Sequence, residues 1–298
     1  MDIIPMCDAS LPVTRAPRIR FPAGTVDCHF HVFGPADAWP YAPSRSYTPP
    51  DATLDTYEAL ASTFGIDRAV IVQPSPYGMD NRRSLEVIAE SRLPMRAVLV
   101  LEPDVTDREL ADYHALGARG VRLNLLFGAG LAIGQADALA QRIRDSGWHL
   151  QFLADVSTLG NLTALVERLR VPVVFDHLGH VPTVKGVHDP GFRNLLALVR
   201  EGLAWVKLSG AYRSTSLPVP PYFDTRRYFD ALIEANPHRL VWGTDWPHPS
   251  IPVAMPDDTD LVDQFGDWVG DAGLREAILV RNPEQLYGFE RYDGHVPD

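Results

Sequence analysis

The chain has 298 residues, 46% hydrophobic and 22% charged, with 38 acidic against 27 Lys and Arg side chains and a formal net charge of −11 at pH 7. So acidic a balance argues against nucleic acid or an anionic membrane surface as partner, since both are recognised by clustered Lys and Arg. The two cysteines, Cys7 and Cys28, are too few for a disulfide framework. No apolar run approaches the roughly 20 residues of a membrane span and the N-terminus lacks a signal-peptide pattern, so a reducing cytoplasm is the expected compartment.

In chain order, residues 1–24 read as an N-terminal arm and residues 25–298 as one domain. The domain opens with TVDCHFHVF, the first of eight short apolar runs; the others are AVIVQPS, RAVLVLEP, GVRLNLL, WHLQFLAD, VPVVFDHLG, AWVKLSG and LVWGTDWPHP. Between them lie segments of helical spacing such as LDTYEALASTFG, NRRSLEVIAESR and RRYFDALIEAN, with Gly at or near helix ends in FGID, ALGARG and SGWH. Apolar runs separated by helices describe parallel strands buried on both faces. Eight such units close most simply into a single (β/α)8 TIM barrel. An open doubly wound sheet is the alternative, but no Gly-rich phosphate loop follows the first strand.

In a barrel, polar residues at the C-terminal strand ends face the site of chemistry. Strand residues i and i+2 share a face, so His29 and His31 project together while Val26, Cys28, Phe30 and Val32 are expected to pack on the opposite side. The sixth run ends in Asp176 and His177, and the eighth carries Asp245 and His248. Gln73 and Ser75, Arg122 and Asn124, Gln151, and Lys207 and Ser209 come from the second, fourth, fifth and seventh, with Arg213 on the loop after the seventh. Each has a blander reading: Asp245 as a helix N-cap, His177 as a satisfied core histidine, the arginines as surface ion pairs. Arg122, however, stands between Val121 and Leu123 in a predicted buried strand, where an unpaired guanidinium is costly, so it is expected to face the pocket and await an anion.

The segments DCHFH, FDHLG and GTDWPHP, with YTPPDA, VIVQPSPYGMDN, GVRLN and RNPEQLYGF, resemble the amidohydrolase superfamily of the amidohydrolase-2 type, in its branch of 2-pyrone-4,6-dicarboxylate lactonases and related lactonases. The resemblance implies a lactone hydrolase of aromatic or sugar-acid catabolism. It makes Asp245 the water-activating base, has His31 and His177 polarise the lactone carbonyl, and adds His29 to the cluster. Tyr47, Ser75, Arg122 and Arg213 would contact the anionic end of the substrate, and Asn124, Tyr77 and His248 are further candidate contacts. Two departures stand out. This chain reads FGAG at Phe127–Gly130 where the relatives carry a further basic pair, and it has Pro76 and Tyr77 in a loop that is more polar in them. A lactone with fewer or differently placed anionic groups is therefore expected. Sulfomuconolactone hydrolysis and aldarolactone isomerisation, which occur in similar branches, stay open, and an isomerising relative with Asn for the final Asp is disfavoured because this chain retains Asp245.

The chemistry stands apart from the resemblance. Lactone hydrolysis needs a water, a base for its proton and positive charge at the carbonyl oxygen, which one carboxylate and three imidazoles can provide. No metal is required for that, yet His29, His31, His177 and Asp245 could also hold one zinc ion. A binuclear centre is not expected, because the lysine on the fourth strand and histidine on the fifth used by such relatives are replaced by Arg122 or Asn124 and by Gln151. A zinc-dependent decarboxylase and a non-catalytic ligand-binding barrel are the alternative functions. The expected partner is a small lactone or its carboxylate product. A homo-oligomer is compatible with the sequence, which assigns no surface to it.

Overall fold

The structure, a computed structural model, describes residues 4–127 and 133–293. All eight apolar runs form strands: β1 Val26–Phe30, β2 Arg68–Val72, β3 Met95–Leu99, β4 Ala118–Asn124, β5 His149–Leu153, β6 Val173–Phe175, β7 Ala204–Lys207 and β8 Leu240–Val241. They pair in parallel and in sequence order, β1 to β8. Cys28 N donates to Trp242 O at 2.9 Å, Asp245 N to His29 O at 2.7 Å and His31 N to Trp246 O at 2.8 Å, joining β8 back to β1. This is the predicted (β/α)8 barrel.

The helices between strands are α1 Leu54–Phe64, α2 Arg82–Glu90, α3 Asp107–Ala115, α4 Ala136–Ile143, α5 Leu162–Leu169, α6 Pro190–Arg200 and α7 Arg226–Ala235. Their ends are chemically marked. Thr53 caps α1, which stops at left-handed Gly65, and Thr106 with Glu109 closes a capping box on α3. After β8 the chain runs on without a helix until α8, Asp258–Trp268, capped by Asp257. Asp245 is therefore not that helix's N-cap.

The strands separate two apolar layers. Val26, Cys28, Val70, Val72, Val98, Val174, Trp205 and Val241 fill the barrel with Leu286, Tyr287 and Phe289, while the alternate strand residues pack against the helices. In β1 the expected alternation fails. Val26 and Cys28 point into the barrel, whereas Phe30 stacks on Tyr57 of α1 with ring centroids 3.7 Å apart. The β1–β2 register shifts between Asp27 and Phe30, which lets Cys28 and His29 both face inward. Asp27 faces outward and accepts from Tyr57 OH at 3.0 Å, Thr244 N at 2.9 Å and Thr244 Oγ1 at 2.6 Å, pinning the irregular strand to α1 and β8. Before β1, Cys7 N donates to Thr48 O at 2.9 Å, and Arg15 and Arg18 pair with Asp260, Asp263 and Asp267 of α8.

Candidate active site

The strand ends turn sharply where the site forms. His177, just past β6, and Asp245, beyond β8, have φ values of +49° and +60°, a left-handed conformation that side chains other than glycine adopt at some cost. Neighbouring backbone approaches His177 and His29 closely. A Cβ on Gly210 would stand 2.7 Å from His177 Nδ1, and one on Gly243 would stand 2.6 Å from His29 N, so only glycine fits at either place.

The side chains meet around one atom. Asp245 Oδ1 lies 3.7 Å from His29 Nε2, 3.8 Å from His31 Nε2 and 3.6 Å from His177 Nε2, and His29 Nε2 lies 3.3 Å from His31 Nε2. It is buried and accepts no hydrogen bond among the described residues. Its sister Oδ2 accepts from Arg213 Nε at 2.6 Å and Tyr212 OH at 2.7 Å. Behind them, Tyr212 OH lies 2.7 Å from His248 Nδ1, and His248 Nε2 lies 2.9 Å from Asp258 Oδ1. Asp245 is thus aimed by Arg213 on the cavity wall and, from behind, by the row Tyr212, His248 and Asp258, which does not line the cavity.

Burial and charge set the protonation states. Burial pushes His29 down to about 4, with the Lys207 ammonium adding to the effect, and holds His31 and His177 well below the usual imidazole value. Burial alone would raise Asp245, but the adjoining Arg213 guanidinium, the leading opposing influence, holds it well below the usual carboxylate range. At neutral pH the centre is therefore an ionised carboxylate among neutral rings. His31 Nδ1 stands 2.7 Å from Val72 O, and a carbonyl can only accept, so the proton is on Nδ1 and Nε2 carries a lone pair. This corrects the donor role expected of His31: the neutral ring offers Nε2 as an acceptor or a ligand. His177 is not so constrained, because its Nδ1 partner at 2.9 Å, Ser209 Oγ, can donate or accept.

A small cavity opens over this centre, lined by His31, Tyr47, Ser75, Arg122, His177, Arg213 and Asp245, together with Phe127, Leu153 and Pro249. Three expected substrate contacts are not on its wall. Tyr77 OH accepts from Gly34 N at 2.8 Å and its ring packs with Phe33 and Tyr41. His248 lies behind Tyr212. Asn124 accepts from Leu126 N at 3.1 Å and Phe127 N at 3.0 Å and donates to Ser75 Oγ, so it shapes the turn after β4. The FGAG departure lies, from Gly128 on, outside the described residues.

Nor does Arg122 simply await an anion. Its Nη1 donates to Gln73 O at 3.1 Å and its Nη2 lies 3.5 Å from Asp176 Oδ2, although its buried Nε has no partner among the described residues. Asp176, Lys207 and Gln151 form a buried polar layer around His29, and of this layer and the row behind Asp245 the sequence revealed only that polar residues sit at strand ends. Tyr212 and Asp258 carried no signal at all; the one clue was their place after β7 and β8.

The donor set also suits a metal ion. A tetrahedral shell with ligand distances of about 2.0–2.2 Å has edges of about 3.3–3.6 Å, and the separations of 3.3 to 3.8 Å around Asp245 Oδ1 come close to this. The unpartnered Oδ1 and the His31 lone pair are the atoms a cation would satisfy, and His29, His31 and Asp245 alone bring three ligand atoms together.

Known proteins share this architecture. The profile of the family described as Amidohydrolase matches residues 26–289. A 4-sulfomuconolactone hydrolase of Rhizobium radiobacter is 36% identical over 96% of this chain and 99% of its own length. A 2-pyrone-4,6-dicarboxylate hydrolase of Comamonas testosteroni is 36% identical over 91% of this chain and 92% of its own. An apo crystal structure from Agrobacterium tumefaciens superposes with a TM-score of 0.84 at 30% identity, covering 93% of this chain and all (100%) of that one. With its barrel, its strand-end histidines and its final aspartate, the chain belongs to the amidohydrolase family.

Proposed function

We propose that the protein is a lactonase that opens the ring of an anionic lactone with water activated by Asp245, in the breakdown of aromatic compounds or sugar acids. The relatives named as lactone hydrolases support the reaction class. The observation that carries the residue roles is the unpartnered Asp245 Oδ1 standing among three imidazoles beside the guanidiniums of Arg122 and Arg213 in one cavity. In this reading residues 25–298 act as one catalytic unit with residues 1–24 as an arm. The enzyme works in the cytoplasm, and no helix among the described residues is long and apolar enough to cross a membrane.

The anionic end of the substrate lies against Arg122 and Arg213, between Tyr47 and Ser75, which turns the ring ester toward His177. A water held by Asp245 Oδ1 attacks the carbonyl carbon. Its proton passes to Oδ1 and then to the ring oxygen as the C–O bond breaks, leaving a hydroxy acid or its keto tautomer. With Ser209 donating to Nδ1, His177 presents Nε2–H to the developing oxyanion. Because Arg213 holds Asp245 acidic, the proton is only briefly its own and passes on as the C–O bond breaks. His29, His31, His177 and Asp245 would hold one divalent ion, which when bound supplies positive charge that acidifies a water and polarises the carbonyl. Arg122, Arg213 and Asp245 keep their substrate-binding and proton-transfer roles with or without it, whereas His177 as a ligand would give up its N–H at the oxyanion to the charge of the ion.

A hydrolysis screen over pyrone, muconolactone and aldonolactone panels, with metal analysis of the same preparation, tests the reading. Turnover of an anionic lactone with release of a new carboxylate is expected. Carbon dioxide release from carboxylated substrates with no ring opening, lost on chelation, would replace it with a decarboxylase. Saturable binding without turnover would make the barrel a binding protein.

A further inference from the structure

Among the described residues, two buried donor sets share one ring: His29 joins His31 and Asp245 in the first, and Asp176 and His177 in the second. Two members of the second, Asp176 and His29, already face a cation. Lys207, wholly buried at the end of β7, places Nζ 3.3 Å from Asp176 Oδ1 and 3.2 Å from His29 Nδ1, and donates to Cys28 O and Gln151 Oε1 at 2.9 Å each. Two oxygens of neutral groups, one carboxylate oxygen and one ring nitrogen surround a single ammonium. Such a shell is built from several strands, unlike a surface ion pair, whose partners are mostly solvated. Lys207 does not line the cavity, and no step of the proposed reaction uses it.

We propose that the Lys207 ammonium is the built-in cation of the His29–Asp176 donor set and that it limits the active site to one divalent ion. The reason is geometric and electrostatic. An ion bound by Asp176 Oδ1 and His29 Nδ1 would have to stand where Nζ already stands, or share those atoms with a second positive charge in a site closed to water. The set around Asp245 has no such resident. It opens to the cavity, its Oδ1 is unpartnered, and the lone pair of His31 faces it. Lys207 is thus a positioning residue: it neutralises Asp176, braces His29 from behind and leaves a single place for an external cation.

Zinc stoichiometry reads this directly and does not depend on the substrate. The intact protein is exposed to excess zinc, desalted, and its retained metal measured per chain by elemental analysis. The same is done for Lys207→Ala and for Lys207→Gln, which keeps a donor for Cys28 O should the smaller side chain fail to fold. Circular dichroism and thermal melts establish that each variant is folded. Wild type should retain no more than one zinc per chain, and a folded Lys207 variant should retain one more than wild type. Adding Asp176→Asn to the Lys207 variant should abolish the gain. Two tightly held zinc ions in wild type, or folded Lys207 variants with unchanged stoichiometry, would overturn the assignment.

Discussion

The two halves of the barrel interior are built from the same strands and follow opposite rules. Toward the strand starts, Val26, Val70, Val98, Val174 and Val241 meet over Leu286, Tyr287 and Phe289 in a dry apolar fill. Two residues further along, Gly120 gives way to Arg122, His149 to Gln151, Val174 to Asp176 and Trp205 to Lys207, and the interior becomes a layer of buried charge. Every charge there has an opposite neighbour: Lys207 and Arg122 at Asp176, Arg213 at Asp245. The lesson concerns cost. In the apolar half a lost methyl leaves a small void, whereas in the polar half a lost partner leaves an uncompensated charge out of water, a far larger penalty.

Substitutions can break or sharpen that division. The largest effect is expected from Asp245→Asn, which keeps the shape of the side chain but cannot take a proton from water: turnover should fall about 10³-fold in a protein that still folds. Near-wild-type turnover would remove Asp245 as the base. Next come the arginines. Arg122→Lys should raise KM for an anionic lactone by the equivalent of about 1.5–3 kcal/mol while sparing a neutral one, because lysine cannot reproduce the two-pronged contact. Arg213→Lys should lower kcat as well, since Arg213 Nε also holds Asp245 at 2.6 Å. Equal effects on charged and neutral lactones would mean there is no anion clamp.

In the apolar half the signature reverses. Val174→Ala should lower unfolding free energy by about 2 kcal/mol yet leave kcat/KM per folded molecule unchanged, and a matching loss of activity would show the halves to be coupled. An effect seen only on acidification belongs to the boundary. His149 is buried, neither ring nitrogen has a close hydrogen-bond partner among the described residues, and burial pushes it down to about 3 from an ordinary 6.5. The unfolded chain therefore binds a proton that the folded one refuses between these values, so stability is full above pH 6.5 and drains away as the pH falls. The slope from this residue is at most about 1.4 kcal/mol per pH unit. Urea unfolding at pH 6.5 and 4.5 should show a smaller acid loss for His149→Leu than for wild type, and identical losses would rule His149 out as the cause.

How much of this was legible in the chain differs by element. Strand runs and helix caps act locally, so β1 to β8 and α1 to α7 stand where the pattern put them. His29, His31, His177 and Asp245 were legible because a barrel sends its strand ends to one mouth. Strict alternation misled at β1, where the register shift turns Cys28 inward with His29. Tyr77, His248 and Asn124 lie off the cavity wall because a polar residue near a strand end can equally serve the scaffold, and each is held by Gly34, Tyr212 or the turn after β4.

Composition, apolar rhythm and capping residues by themselves determined the class of fold, its order of elements and the residue types gathered at its mouth, since these depend on what each residue prefers within a few positions of itself. Only the closed barrel decided who meets whom. The anion at Arg122 is in part the protein's own Asp176, Lys207 from β7 comes to stand behind His29 of β1, and Tyr212 and His248 aim Asp245. Pairings between distant strands depend on register, on left-handed turns at His177 and Asp245 and on closures measured in tenths of an ångström, none of which is encoded locally.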